Sequence, residues 1–228
     1  AETVNPFTYT PVFVIVAKNL FGNYFEHAVP PSELVVGAYH YIDLANFKDI
    51  TKGGKVTHWK ISKEFKGSDL VGIKYEQLLP YALPYENADQ AFRVIAGDFV
   101  STEDGTGIVH IAPTFGADDM RVAKAAGVPP MLVLDENKKP VPLVDLRGKF
   151  RPEVKDAQFG LAGEFVKEDY LSEKEKAEEL GKQKEYMTFL IRNTSKLNYL
   201  SVDERIVLKL QYEGKLFKKE TYEHNYPH

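Results

Sequence analysis

The stretch GTGIVHIAPTFGADD, from Gly105 to Asp119, contains the residues of this chain whose types and spacing could do chemistry. Glycine at Gly105 and Gly107 lets the backbone turn sharply and approach a ligand closely, because a side chain would obstruct both. The tripeptide alone is more often a simple hairpin turn. The continuation changes this interpretation, since a predicted strand from Ile108 to Ala112 and two aspartates that open a helix follow at once. A turn, a strand end and a helix start would then meet at one place.

Asp118 and Asp119 lie at the predicted helix start, where carboxylates interact well with unpaired N–H groups. Adjacent helical residues point about 100° apart, so the two carboxylates do not readily share a metal ion or a proton. One of them can cap the helix while the other faces a ligand. A carboxylate beside a cleft binds an ammonium group through a charge-assisted hydrogen bond worth about 1.5–3 kcal/mol. The α-amino group of an amino acid is such a group.

His110 lies within the predicted strand, and on pattern alone a structural histidine is the more common interpretation. No second histidine or carboxylate stands near it at the spacing of a zinc site. The remaining histidines are scattered along the chain: His27, His40, His58, His224 and His228. We therefore predict no metal site.

Composition excludes several other chemistries. The 228 residues contain no cysteine, which removes disulfides, thiolate zinc sites and cysteine nucleophiles. No G-x-S-x-G elbow and no G-x-x-x-x-G-K-[ST] loop is present. The net charge of -4 means that any nucleic acid would have to bind through a local patch. No apolar run is long enough to span a membrane and no secretory signal opens the chain, so we expect a soluble, cytoplasmic protein.

The elements that would position these residues are mostly short strands. A β-branched and aromatic run predicts a strand at Val12–Val16, buried on both faces. Turn signals predict three hairpins: Lys55–Phe65 with Leu70–Tyr75, Phe92–Val100 with Gly107–Ala112, and Met131–Leu134 with Val141–Val144. Several short strands joined in this way favour a barrel or a folded sheet over a doubly wound fold.

Helices are fewer and mostly late. Asp118–Ala126 is followed by glycine and two prolines, which are helix stop signals. Ser201–Glu204 forms a capping box that opens a helix ending before Gly214. Glu164–Phe189, rich in Glu, Lys and Ala, predicts one or two surface helices. Without repeats or a low-complexity linker, a single elaborated domain is expected.

At this point the residues resemble a known family. GTGIVHIAPTFGADD is similar to the editing-domain (connective polypeptide 1) motif of isoleucyl-tRNA synthetases, which are class I aminoacyl-tRNA synthetases. The resemblance also covers Pro11–Lys18, PPMLVLDENKKPVPLVDLRGKF and KLFKKETYEHNYPH, and is weakest over 164–198, which looks like a helical insertion. Editing domains of valyl- and leucyl-tRNA synthetases share the GTG turn and the later aspartate but usually lack the histidine. His110 therefore favours the isoleucine enzyme.

The resemblance implies a fold that is mainly β with α decorations (α+β), a distorted closed β-barrel surrounded by helices, over a single domain 1–228. It implies hydrolysis of valine mistakenly attached to isoleucine tRNA, with Asp119 and His110 as the catalytic residues. Asp119 would hold the ammonium group of valine, and His110 would shape the side-chain pocket and block isoleucine. The substrate-binding set that it implies comprises Gly105, Thr106, Gly107, His110, Pro113, Phe115 and Asp119. No covalent nucleophile is implied, so a positioned water would attack the ester.

The sequence also departs from the family. The threonine-rich peptide with T-T-P-W-T, expected upstream of Pro11, is absent, as are the HIGH and KMSKS signatures. We therefore expect a fragment of a larger synthetase with weak or no hydrolysis by itself, no cofactor of its own, and ATP and Mg²⁺ only in the full-length enzyme. The implied partners are the acceptor end of tRNA(Ile) carrying valine and the rest of the synthetase, with no membrane. Two alternatives stay open: a valine- or leucine-system editing domain, and a non-catalytic tRNA-binding module.

Overall fold

The structure is a computed structural model and describes residues 1–41, 54–156, 161–186 and 199–220. Six strands are found in these ranges: β1 Glu2–Val4, β2 Pro11–Phe13, β3 Tyr39–His40, β4 Trp59–Lys60, β5 Leu132–Leu134 and β6 Pro140–Pro142. The α-helices are α1 Phe21–Tyr24, α2 Ala117–Ala125, α3 Glu173–Tyr186 and α4 Val202–Tyr212. Short 3-10 helices lie at Lys18–Leu20, Pro31–Glu33, Gly67–Leu70, Ala88–Gln90 and Glu168–Tyr170. The protein is thus of mixed α and β structure.

The chain divides into two compact units. Unit 1 comprises Ala1–Lys66, Phe99–Val109 and Val207–His228. Unit 2 comprises Gly67–Asp98 and His110–Ile206. The single domain expected from the sequence stays a prediction.

Unit 1 is built around a four-stranded antiparallel sheet in the order β2-β1-β4-β3. Its core contains Trp59 from β4, Phe21 and Phe25 at the two ends of α1, and Val56. The Phe21 ring stacks on Phe25 at 4.3 Å and meets Trp59 edge-on at 5.0 Å, as offset and T-shaped aromatic pairs do. The indole N–H donates to the Glu26 carbonyl at 2.9 Å, so the buried tryptophan leaves no polar group unsatisfied.

The side chain of Asn5 links the first and the last segment of unit 1 by hydrogen bonds. The side chain is only 2% exposed, and its Nδ2 donates to the carbonyls of Gly214 at 3.0 Å and Leu216 at 2.9 Å. Its Oδ1 accepts from the amides of Phe7 and Thr8. The buried amide is therefore fully hydrogen-bonded, as burial of a polar group requires.

Two strand predictions in unit 1 are wrong. Only Val12 and Phe13 of the predicted strand Val12–Val16 lie in a strand, β2, which is at the sheet edge with Phe13 76% exposed rather than buried on both faces. The predicted hairpin of Lys55–Phe65 with Leu70–Tyr75 does not form, because β4 pairs with β1 and β3 instead. The second outcome depends on β1, a strand partner that is distant from β4 in sequence.

Unit 2 contains the hairpin β5–β6, which confirms the third hairpin prediction. Its turn is held by Asp135, whose Oδ1 accepts from the amides of Asn137 and Lys139 at 2.9 Å. The hairpin predicted between Phe92–Val100 and Gly107–Ala112 is wrong. The 92–94 segment instead bonds with 72–75: Val94 with Gly72 and Ile73, and Phe92 with Tyr75, each at 2.9 Å.

The core of unit 2 joins its loops to the start of α4. Val154, Leu161 and Val202 are buried together, with Phe150 and Ile206 packed against them. Beside this core, the wholly buried guanidinium of Arg205 donates to both carboxylate oxygens of Glu164. Two parallel hydrogen bonds between opposite charges compensate the loss of water around both groups.

The predicted helices agree with the structure more closely than the predicted strands do. The helix predicted at Asp118–Ala126 is α2, Ala117–Ala125. The capping box opens α4: the Ser201 amide donates to Glu204 Oε2 at 2.9 Å, and the Glu204 amide lies 3.3 Å from Ser201 Oγ. The predicted helical region Glu164–Phe189, of which 187–189 lie outside the described residues, contains α3. This helix begins with a second capping box, Ser172 with Glu175, which was not predicted.

The strands of the described ranges form the four-stranded sheet and the two-stranded hairpin, and no closed barrel is detected among them. The barrel stays a prediction. Within the same ranges, no helix combines the length and the apolar character that crossing a bilayer requires.

Candidate active site

The Gly105–Gly107 turn belongs to unit 1 and requires both of its glycines. Gly105 has φ +60° and Gly107 has φ +78°, values at which an ordinary residue is strained. A Cβ at Gly107 would also lie 2.6 Å from the Cβ of Ala17, whereas a Cβ at Gly105 would meet no atom of the described residues within 4 Å. Gly105 is therefore needed for its conformation alone, and Gly107 for conformation and close packing.

Hydrogen bonds fasten this turn to the start of the chain. The Ala17 amide donates to the Thr106 carbonyl at 2.8 Å, and the Tyr24 hydroxyl donates to the Gly105 carbonyl at 2.8 Å. Burial is the largest influence that raises the pKa of Tyr24, so the phenol keeps the proton that it donates. The Thr106 hydroxyl bonds to the Ile108 carbonyl at 2.8 Å and is thus engaged within the turn. Neither Ala17 nor Tyr24 was assigned a role from the sequence.

In unit 2, the loop before α2 folds back on Ala112. The carbonyl of Ala112 accepts from the amides of Phe115 at 3.0 Å and Gly116 at 3.1 Å. The predicted strand Ile108–Ala112 is not a strand, which corrects the sequence analysis. The segment instead runs irregularly into a tight loop that ends at Gly116, the N-cap of α2.

Asp119 closes this loop from the first turn of α2. Its Oδ2 accepts from the Ala112 amide at 3.0 Å, so both polar groups of the Ala112 backbone are bonded inside the loop. Its Oδ1 accepts no hydrogen bond from any part of the chain that the structure describes. One carboxylate oxygen thus fixes the side chain while the other is open to a ligand.

Asp118 points away from Asp119, as the helical geometry predicts. Its Oδ1 lies 3.5 Å from Nη2 of Arg121, which is held more closely by Asp98 through bonds of 2.7 and 3.1 Å. These hydrogen bonds from Arg121 lower the pKa of Asp98. All three side chains are largely exposed. Asp118 is therefore a surface ion-pair residue and a matched control for Asp119.

His110 is exposed, and no hydrogen bond joins it to the described residues. His110 therefore lacks the burial of the structural histidine that the pattern favoured, and its role in a site stays a prediction. Phe115 is 69% exposed and Pro113 is half-buried in the same loop. Close by in sequence, the Thr114 hydroxyl is buried and has no hydrogen-bond partner among the residues that the structure describes.

The structure thus places the sequence-predicted residues in two groups. His110, Pro113, Phe115 and Asp119 lie within ten consecutive residues of unit 2, and Gly105, Thr106 and Gly107 form the turn of unit 1. Among the described residues, no group of three or more His, Cys, Asp or Glu side chains could hold a metal ion. The chemistry available in unit 2 is an anchored carboxylate, an accessible imidazole and an exposed aromatic ring.

No protein-family model matches this sequence. The chain is 50% identical over 227 residues to the isoleucine–tRNA ligase of Cytophaga hutchinsonii, which covers 100% of this chain and 18% of that protein. It is 37% identical over 231 residues to the isoleucine–tRNA ligase of Bacteroides fragilis and 39% identical over 239 residues to that of Porphyromonas gingivalis, with the same two coverages. The chain therefore spans about a fifth of the length of these relatives. Along its whole length it is homologous to a segment of isoleucine–tRNA ligases, and it belongs to that family.

Proposed function

We propose that this chain is an editing domain, which hydrolyses the ester between valine and the terminal adenosine of tRNA(Ile). The names of its relatives and the resemblance of GTGIVHIAPTFGADD to the editing motif support this proposal. The observation that carries it is the Asp119 carboxylate, with one oxygen fixed on the Ala112 amide and the other open. The partners are then the acceptor end of tRNA(Ile) and the rest of a synthetase.

The physical need for such a reaction is clear. A pocket that accepts isoleucine cannot strongly reject valine, because one methylene is worth only about 1–3 kcal/mol, a limit for which isoleucine–tRNA ligase is itself the standard example. A second site that admits valine and excludes the larger isoleucine solves this problem by size. His110, exposed and unbonded within the described chain, is the residue that we assign to this exclusion.

Asp119 binds the ammonium group of valine in this mechanism. Both groups are charged, so the hydrogen bond to Oδ1 is of the stronger, charge-assisted kind. The bond from the Ala112 amide holds the carboxylate in place before substrate arrives, which reduces the ordering needed on binding. Asp119 thereby orients the ester relative to the attacking water.

A positioned water performs the hydrolysis. Its oxygen attacks the ester carbonyl to form a tetrahedral intermediate, and the ribose oxygen of the terminal adenosine leaves with a proton. Hydrogen-bond donors near the carbonyl stabilise the negative charge that develops on its oxygen. We assign the glycines of the Gly105–Gly107 turn to the approach of the terminal adenosine, as the resemblance to the editing motif implies.

The proposal is tested by measuring hydrolysis of valyl-tRNA(Ile). The assay uses this chain and the Cytophaga hutchinsonii ligase with this chain in place of its matching segment. Asp119→Asn keeps an acceptor for the Ala112 amide but removes the charge, and we expect hydrolysis to fall about 10- to 150-fold. Asp118→Asn is the matched control and should leave the rate unchanged. Equal rates for the two variants would reject the proposed role of Asp119.

Specificity is tested with isoleucyl-tRNA(Ile). His110→Ala enlarges the proposed pocket, so we expect this variant to begin hydrolysing isoleucyl-tRNA(Ile) while it still hydrolyses valyl-tRNA(Ile). Unchanged discrimination would remove His110 from the size-excluding role. If neither protein hydrolyses any mischarged tRNA while salt-sensitive tRNA binding survives Asp119→Asn, the chain is a non-catalytic RNA-binding module.

A further inference from the structure

Gly116 occupies a position where the backbone conformation does not require glycine. Its φ of -90° and ψ of 132° lie in the β region, which any residue adopts. It is the N-cap of α2, where glycine is well tolerated but makes no side-chain bond, whereas Ser, Asp or Asn would satisfy a free helix N–H group. What glycine alone provides at this position is the space that a Cβ would otherwise fill.

That space is filled by the carboxylate of Asp119. A Cβ at Gly116 would lie 2.5 Å from Oδ2 of Asp119 and 2.8 Å from its Cγ. Both distances are well inside van der Waals contact, so any side chain at this position must displace the carboxylate. The atom most directly displaced, Oδ2, is the one that accepts from the Ala112 amide.

We propose that Gly116 is a positioning residue for the editing reaction. Its missing side chain allows Asp119 to fold back onto the Ala112 amide and so presents Oδ1 to the ammonium group of the aminoacyl ester. This inference rests on the proposed function. Asp119 has a short side chain that can rotate into solvent, so a substitution at Gly116 moves the carboxylate without unfolding the loop.

Gly116→Ser separates this role from a structural one. Serine at an N-cap accepts a hydrogen bond from the first turn of the helix, which offsets part of the stability lost with the Asp119–Ala112 bond, so the variant should remain folded. The added Cβ should nevertheless displace Asp119 and lower valyl-tRNA(Ile) hydrolysis about tenfold or more, as Asp119→Asn does. Gly67→Ser is the matched control, because a Cβ at Gly67 meets nothing within 4 Å and its φ is not positive.

The experiment measures hydrolysis, thermal stability and the NMR shift of the Ala112 amide. Asp119→Ala removes the acceptor of the Ala112 amide and should move its resonance, and Gly116→Ser should move it in the same direction. Wild-type hydrolysis in Gly116→Ser, or an Ala112 resonance at its wild-type position in that variant, would overturn the role of Gly116. Unchanged hydrolysis in Asp119→Asn would instead reject the proposed function, and with it any role of Gly116 in that reaction.

Discussion

Gly107→Ala should lower the free energy of unfolding, and the size of this loss can be estimated from two separate features of the structure. Gly107 has φ +78°, and a Cβ there would lie 2.6 Å from the Cβ of Ala17. An L-residue in the left-handed region costs about 1–2 kcal/mol. Forcing extra volume into a packed contact costs about 1–3 kcal/mol. Together these lower the free energy of unfolding by about 2–5 kcal/mol.

Gly105→Ala is the internal control for this substitution. Gly105 has φ +60°, but a Cβ there meets nothing within 4 Å. The variant therefore carries only the backbone cost of about 1–2 kcal/mol. The difference between the free energies of unfolding of the two variants measures the effect of the contact with Ala17.

A double-mutant cycle with Ala17→Gly tests that contact directly. Once the Cβ of Ala17 is removed, the nearest remaining atoms to the new methyl group are the Ala17 Cα and N at 3.5 Å, which is an ordinary contact distance. Ala17→Gly should then recover about 1–3 kcal/mol in the Gly107→Ala background. The same substitution in the Gly105→Ala background should recover nothing.

Urea unfolding followed by tryptophan fluorescence measures these free energies. Trp59 is the only tryptophan of the chain and is 1% exposed in the core of the same unit, so it reports on the unit that contains the turn. Equal costs for Gly105→Ala and Gly107→Ala, or no coupling between Gly107→Ala and Ala17→Gly, would refute the reasoning.

Three further outcomes are expected. Glu164→Gln removes the charge of the carboxylate that accepts two hydrogen bonds from the buried Arg205, and it should lower the free energy of unfolding by about 3–5 kcal/mol. Glu164→Leu combined with Arg205→Met should recover most of this loss, and a loss near zero for Glu164→Gln would contradict a buried pair. Ser201→Ala removes the cap of α4 and should cost about 1 kcal/mol in urea unfolding, so an unchanged midpoint would show that the box does not stabilise the helix. Burial lowers the pKa of His58 below its usual 6.5. As the pH drops below 6.5, the unfolded chain therefore binds a proton at this histidine before the folded chain does, and the stability of the fold decreases. His58→Asn should make this fall shallower between about pH 7 and pH 5, and an unchanged slope in urea titrations would show that another group causes it.

The local features of the fold could be predicted from the sequence. Both ends of α2, the capping box at Ser201 and the hairpin around Asp135 depend on interactions within a few residues, so their signals are contained in short stretches. The overlooked box at Ser172 carried the same signal, a serine followed three residues later by glutamate. The motif from Gly105 to Asp119 likewise supplied the predicted site residues, but not Ala17 and Tyr24, which hold the turn from outside the motif.

Only the tertiary structure decided which segments pair and what each motif residue contacts. The 92–94 segment bonds with 72–75 rather than with the stretch around Ile108, because strand pairing depends on which backbone groups meet in space. For the same reason the sequence could not show that the turn at Gly107 rests on Ala17. At Asp119 the sequence indicated a carboxylate near a helix start, but not that one oxygen is held by Ala112. That contact depends on the path of a loop, which no spacing of residue types specifies.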